Sequence, residues 1–256
     1  MSEKSSKLQA VIFDLDGVIT KTAKVHAAAW KVMFDEYMQQ REKNNGEPFK
    51  EFVQDDYLTY VDGKPRYKGV QSFLESRNIN IPFGEPEDGT EVESVCGLGN
   101  RKNEKFLEVL KKDGIEIYTS TVDLIRDLKS KDIRIGVASS SKNCQLVLQQ
   151  TDLEKYFETR VDGVVSAELG LKGKPEGDIF VRAAENLGCD PAYSVVVEDA
   201  VSGVQAGQNG KFGLVIGVAR EDNEKELENN GADVVVTDFA GVTTTTIEEW
   251  LNQQTH

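Results

Sequence analysis

Apolar residues follow two patterns along this chain, and the alternation between them sets the expected architecture. Largely unbroken apolar runs lie at residues 10–13, 133–138, 161–165, 195–197, 214–218 and 234–236, the third being the weakest. Runs of this kind read as strands buried on both faces of a parallel sheet. Helical spacing separates most of them, which predicts a doubly wound parallel α/β sheet. About 110 residues (21–132) intervene before the second strand, too many for a loop without structure of its own. That insert has helical spacing over residues 23–37, through Val25, Trp30, Val32, Met33, Phe34 and Tyr37. Further helices are expected near residues 70–74 and 103–112, with polar surface loops at 41–47 and 81–89. The pattern thus predicts a core made from residues 1–20 and 118–256 and an inserted α-helical domain at 21–117. Thr243 to Thr246 read as the lead-in to a last helix.

Chemistry-bearing residues gather where strands are expected to end. The first run stops at Asp14-Leu15-Asp16-Gly17, and Gly17 permits a sharp turn off the strand. The second stops at Ser139-Ser140-Ser141-Lys142-Asn143. Lys174-Pro175 follows Gly170 and Gly173 and precedes a helix starting at Asp178. The fourth run ends in Glu198-Asp199. Ligands of open α/β sheets sit at the carboxyl ends of strands, so these groups are positioned to surround one phosphate. Taken singly, each has a structural reading too. Asp14 and Asp16 could close a turn, Ser140 could cap a helix, Lys174 could be solvated, and Glu198-Asp199 could end a strand. Their order and shared context favour the joint, chemical reading.

Composition narrows the partners. Forty-four acidic residues against 30 basic ones give a net charge of −14, which argues against nucleic acid or an anionic membrane. An anion site must then be built from local cations and a metal, because the overall field repels phosphate. No apolar run reaches the ~18 residues of a transmembrane helix, and the polar start (Met1 to Gln9) lacks a secretion-type apolar region. Cys96, Cys144 and Cys189 are scattered and form no CxxC, so reduced thiols and a cytoplasmic location are expected. Cys144 reads as packing. Of the two histidines, His256 is terminal; His26 lies on the first helix of the insert, with Thr22 and Trp30 four residues either side on one face.

The four strand-end segments, in this order, resemble the haloacid dehalogenase superfamily of phosphotransferases, whose fold is a Rossmann-like core with a cap. The resemblance implies that Asp14 is a nucleophile forming an aspartyl-phosphate and that Asp16 is the general acid/base. It implies that Ser139 and Lys174 hold the transferring phosphoryl group, and that Asp14, Asp16, Glu198 and Asp199 hold Mg2+. Within the insert, Asp62-Gly63-Lys64-Pro65-Arg66 reads as a turn presenting two cations, and Asn100-Arg101-Lys102-Asn103 as a helix start presenting two more.

These insert features resemble the β-phosphoglucomutase branch, which interconverts β-glucose 1-phosphate and glucose 6-phosphate through a bisphosphate. By that resemblance Thr22 and His26 couple substrate binding to Asp16, with Trp30 on the same face. Gly63, Lys64 and Arg66 lie in a specificity loop, Lys102 is a cap lysine, and Ser140, Ser141, Lys142 and Asn143 serve the second phosphate. A small phosphorylated sugar is the expected partner and a monomer the expected state. Lys21 replaces an acid usual after the first motif, and Thr119-Ser120 stand where Pro-Gly often marks the second linker. A phosphatase acting on small sugar phosphates is the alternative; a noncatalytic phosphate-binding module is the remote one, since a pure binder needs no nucleophile.

Overall fold

The computed structural model describes residues 8–220 and 222–254. The polar residues 1–7 and the terminal His256 lie outside the described residues. Two compact units emerge, one from residues 8–21 and 116–254, the other from residues 22–115.

The first unit is built on a parallel sheet. Its strands are β1 (Ala10–Phe13), β2 (Arg134–Ala138), β3 (Thr159–Val161), β4 (Ser194–Glu198), β5 (Leu214–Val218) and β6 (Val234–Val236). Their order is β3-β2-β1-β4-β5-β6, so the sheet reverses direction of growth between β1 and β4. That reversal is the switch point at which doubly wound sheets bind ligands. β1, β4 and β5 are buried throughout, as their apolar sequences require. Register then fixes the site. Phe13 pairs with both Val137 and Val197, so the next residues, Asp14, Ala138 and Glu198, emerge level on one edge.

The second unit carries α1 (Thr22–Asn45), α2 (Gln54–Asp56), a π turn (Tyr57–Val61), α3 (Arg66–Ser76) and α4 (Val95–Asp113). Trp30, Phe34, Phe52, Phe73 and Leu98 form its apolar centre, with Phe34 and Phe73 ring centroids 4.1 Å apart. Burial of each such side chain contributes roughly 1.5–3 kcal/mol. The remaining helices belong to the first unit: α5 (Thr119–Ser130), α6 (Cys144–Gln150), α7 (Gly163–Leu169), α8 (Asp178–Leu187), α9 (Val201–Asn209), α10 (Glu224–Asn229) and α11 (Thr244–Gln254). α8 lays Ile179, Phe180, Ala183, Ala184 and Leu187 on the sheet, the stripe expected of an amphipathic helix.

Three sequence expectations need correction. The third strand lies at Thr159–Val161, not 161–165, because β3 stops at Val161 and Asp162 caps α7 by accepting from the Val164 and Val165 amides. Residues 41–45 are helix and not loop, since α1 continues to Asn45 before the loop at Gly46 and Glu47, and Arg41 pairs with Glu47 at 2.6 Å. Asn100 to Asn103 do not start a helix; they lie inside α4, which begins at Val95 under a Ser94 cap. Gly97 and Gly99 disguised that first turn. A Cβ at Gly97 would strike the Val92 carbonyl, and one at Gly99 would meet the Tyr67 ring at 2.8 Å.

Candidate active site

In the first unit, Asp14 stands at the end of β1, 5% exposed, with its amide bonded to Val197 O at 2.9 Å. Lys174, also buried, donates to Asp14 Oδ1 at 2.6 Å and to Glu198 Oε1. The other Glu198 oxygen accepts from the Ala200 amide at 2.7 Å, at the start of α9. Both Glu198 oxygens are thus engaged in orienting the lysine and the β4–α9 turn. Gly203 makes room, because a side chain there would overlap the Glu198 carboxylate. Lys174 also lies 5.1 Å above the Phe180 ring.

Asp16 follows within a tight turn. Gly17 has φ +83°, its N–H bonds to Thr20 O at 2.7 Å, and Thr20 Oγ1 donates to Leu15 O at 3.2 Å. A side chain at Gly17 would collide with the Asp199 carboxylate, which places Asp199 against this turn. Ser139 Oγ accepts from the Ser141 amide at 3.0 Å and lies 3.5 Å from Asp16 Oδ2, the outer limit of hydrogen bonding. Ser141 Oγ in turn accepts from the Asn143 amide at 3.1 Å. α6 begins only at Cys144, with Asn143 at its N-cap in place of Ser140, so residues 139–143 form a side-chain-stapled loop. The first turn of α7 braces this loop, with the Gly163 amide 3.1 Å from Ser141 O.

Electrostatics follow from burial and a shortage of cations. Burial pushes the Asp14 carboxyl well above its ordinary range; Lys174 opposes this, while the nearby Glu198 and Asp16 add to it. Burial alone would depress the Lys174 ammonium, but Asp14 and Glu198 together overrule it and hold it above an ordinary lysine. Burial, with Asp162, Asp16 and Asp14 nearby, pushes the Cys144 thiol well up, consistent with a packing role. Three carboxylates therefore act around a single ammonium. Among the described residues, no three His, Cys, Asp or Glu side chains are already gathered as a metal site. The acid excess and the all-oxygen donor set nonetheless fit a hard divalent cation such as Mg2+.

The second unit has its own polar cluster. Thr22, His26 and Trp30 lie at four-residue spacing on α1, Thr22 and Trp30 being buried. Lys102, buried on α4, meets His26 Nδ1 and lies 4.8 Å from the Trp30 ring and 5.1 Å from Phe106. The His26 ring stacks on Phe106 at 3.9 Å. With Lys102 as an ammonium, which has only protons to give, Nδ1 must accept and a neutral imidazole carries its proton on Nε2. Arg66, in the first turn of α3, reaches Asn103 Oδ1 at 2.8 Å and Asn100 Oδ1 at 3.4 Å. Gly63 and Lys64 lie in the turn before it, where Lys64 donates to Thr59 O at 3.1 Å and Ser72 Oγ at 3.2 Å. Burial lowers both cations, Arg66 and Lys64, from their ordinary values.

Two contributors escaped the sequence reading. Asp162-Gly163 were hidden in the misplaced third strand. Arg220, two residues beyond β5, reaches Gly17 O with Nε at 3.0 Å. A cation just past the end of a buried strand was the available signal.

Comparison with known proteins gives a consistent picture. A family model described as haloacid dehalogenase-like hydrolase matches residues 8–211. A β-phosphoglucomutase of Mycobacterium bovis is 46% identical over 238 residues, 91% of either chain. A phosphorylated carbohydrates phosphatase of Thermotoga maritima is 28% identical over 237 residues, 90% of this chain and 94% of its own. The crystal structure of β-phosphoglucomutase from Clostridium difficile superposes with a TM-score of 0.76 at 26% identity, covering 96% of this chain and 98% of that one.

Proposed function

We propose, from the premise that the chain belongs to the haloacid dehalogenase-like hydrolase family, that it converts β-glucose 1-phosphate to glucose 6-phosphate by way of a bisphosphate. Its relatives make it an enzyme, a phosphomutase or a phosphatase. The single observation carrying the site assignment is the buried Asp14–Lys174–Glu198 array at the sheet's switch point.

The Asp14 carboxylate is the nucleophile. Its oxygen bonds to phosphorus as the bond from phosphorus to the leaving alkoxide breaks, and Asp16 gives that oxygen a proton. In the return step an acceptor hydroxyl passes its proton to Asp16 and bonds phosphorus, while the bond to Asp14 breaks. Lys174 neutralises the approach of carboxylate to phosphoryl group, and Glu198 holds Lys174 in place. The Ser139 hydroxyl serves the phosphoryl oxygens. Asp14, the Asp16 backbone carbonyl and Asp199 would hold Mg2+, which would supply charge neutralisation, while Glu198 has both oxygens engaged by Lys174 and the Ala200 amide.

The second unit supports a mutase over a phosphatase. A bisphosphate has a distal phosphate needing its own cations, and within this unit Arg66 and Lys102 are the candidates. Arg66 suits the task because its planar fork binds two oxygens. Thr22 and His26 act with them as a cap function, His26 through its Nε2 proton. The test is a product assay on β-glucose 1-phosphate with Mg2+ and a trace of bisphosphate. Glucose 6-phosphate is expected; free phosphate in its place would establish the phosphatase.

A further inference from the structure

The turn that carries Asp16 must hold its carboxyl still enough to trade protons at a reacting oxygen, yet it contains glycine, the least restrained of residues. Its two peptide groups after Asp16 are pinned from different directions. The Gly17 amide donates to Thr20 O at 2.7 Å, within the turn. The Gly17 carbonyl accepts from Arg220, which lies 203 residues away in sequence. The guanidinium is itself immobilised: Nη1 donates to Thr237 O at 2.9 Å, and its centre lies 3.6 Å from the Tyr118 ring centroid. Asp238 lies 3.6 Å from Nη1 and accepts from Ser120 Oγ at 2.8 Å. Tyr118 is tied back to the same turn, its amide donating to Ile19 O at 2.9 Å.

We infer that Arg220 is a positioning residue for proton transfer by Asp16, acting through the Gly17 carbonyl and the stack on Tyr118. The inference rests on the reading of Asp16 as the acid/base. Only arginine can face two carbonyls and a ring face together; lysine offers a point charge without the plane. Removing Arg220 leaves the Gly17 peptide able to rotate, and the Asp16 carboxyl loses its fixed aim. Asp14 and Lys174 are anchored on β1 and the lysine loop and keep theirs.

Leaving groups separate this role from a general loss of structure. A hexose 6-phosphate leaves an alkoxide that must be protonated, whereas acetyl phosphate leaves acetate, which needs no proton. First-turnover release of each leaving group would be measured by rapid mixing on the full chain with Mg2+. Arg220→Ala is expected to slow hexose release by roughly 100-fold, the lower range of general-acid catalysis, while acetate release changes by less than about threefold. Tyr118→Leu, which keeps Arg220, should give the same split at smaller size, and serves if Arg220→Ala does not fold. Equal losses on both phosphates in whichever variant folds would overturn the inference. Asp16→Asn provides the control. If it shows no such split, the acid/base reading of Asp16 is what fails; if it does and the Arg220 and Tyr118 variants do not, the positioning role fails alone.

Discussion

Each unit buries a lysine, and the two are handled by different chemistry. Lys174 is enclosed by the carboxylates of Asp14 and Glu198, which return more Coulomb energy than burial removes. Lys102 is set against the His26 nitrogen and the faces of Trp30 and Phe106. A lysine held by acids stabilises the negative groups around it and belongs to the folded core of the site. Lys102 instead meets two ring faces, whose attraction for a cation is modest and which a phosphate's charge-assisted hydrogen bond exceeds.

The largest test of this contrast is to remove each ammonium in turn. Lys174→Met should abolish turnover and destabilise the fold by about 3–5 kcal/mol, the cost of stripping one partner from a buried charge group. Lys102→Met should cost folding no more than about 1 kcal/mol while sharply lowering turnover of the sugar phosphate. Urea denaturation and steady-state assays on both variants check this, and similar stability losses would dissolve the distinction.

Arg66 sharpens the comparison next. Arg66→Ala should lower sugar-phosphate conversion roughly 10- to 100-fold, the worth of a charge-assisted hydrogen bond, and leave hydrolysis of acetyl phosphate nearly unchanged. Equal losses would remove Arg66 from the distal-phosphate role.

The acid excess around Lys174 has a pH signature. The Asp14 carboxyl is raised in the folded state by burial and by Glu198 and Asp16. A raised folded value means stability that is whole below the unfolded value and is lost as pH rises through the folded one. Without divalent cation, wild type should therefore lose stability relative to Asp14→Asn as pH rises above the ordinary carboxylate range, by at most about 1.4 kcal/mol per pH unit. Paired melts in chelator would show it; a wild type that gains stability relative to Asp14→Asn as pH rises would contradict it.

The smallest effect is expected at Gly163. A Cβ there would meet Ser140 O at 2.6 Å and the Lys142 backbone and side chain at 3.0 Å. Gly163→Ala should displace the 139–143 loop, raising KM for phosphate esters several-fold with about 1 kcal/mol of destabilisation. An unchanged KM would show that α7 does not set the loop.

Much of this was legible in sequence, for identifiable reasons. β1, β4 and β5 are buried on both faces, and β2 is buried after Arg134, so their apolar runs had little to confuse them. Asp14, Ser139 and Glu198 could be placed because strands end where polar residues begin. The misplaced third strand shows the limit: Val161, Val164 and Val165 look continuous, but Asp162 turns the chain by accepting from two amides ahead of it. Arg41 looked like loop because its partners Glu47 and Glu93 are six and 52 residues away. Arg220 was missed because nothing local links it to Gly17, its place just past β5 being the only hint. Residues 100–103 were read as a terminus since glycines, poor helix formers, precede them.

The central claim is that Asp14 takes phosphorus covalently. Rapid quenching of the protein with acetyl phosphate and Mg2+, followed by peptide mass analysis, addresses it directly. The account predicts one phosphoryl group on the peptide bearing Asp14, acid-stable and base-labile, and none in Asp14→Asn. A phosphoryl group elsewhere, or turnover by Asp14→Asn with no phosphorylated peptide, would contradict it.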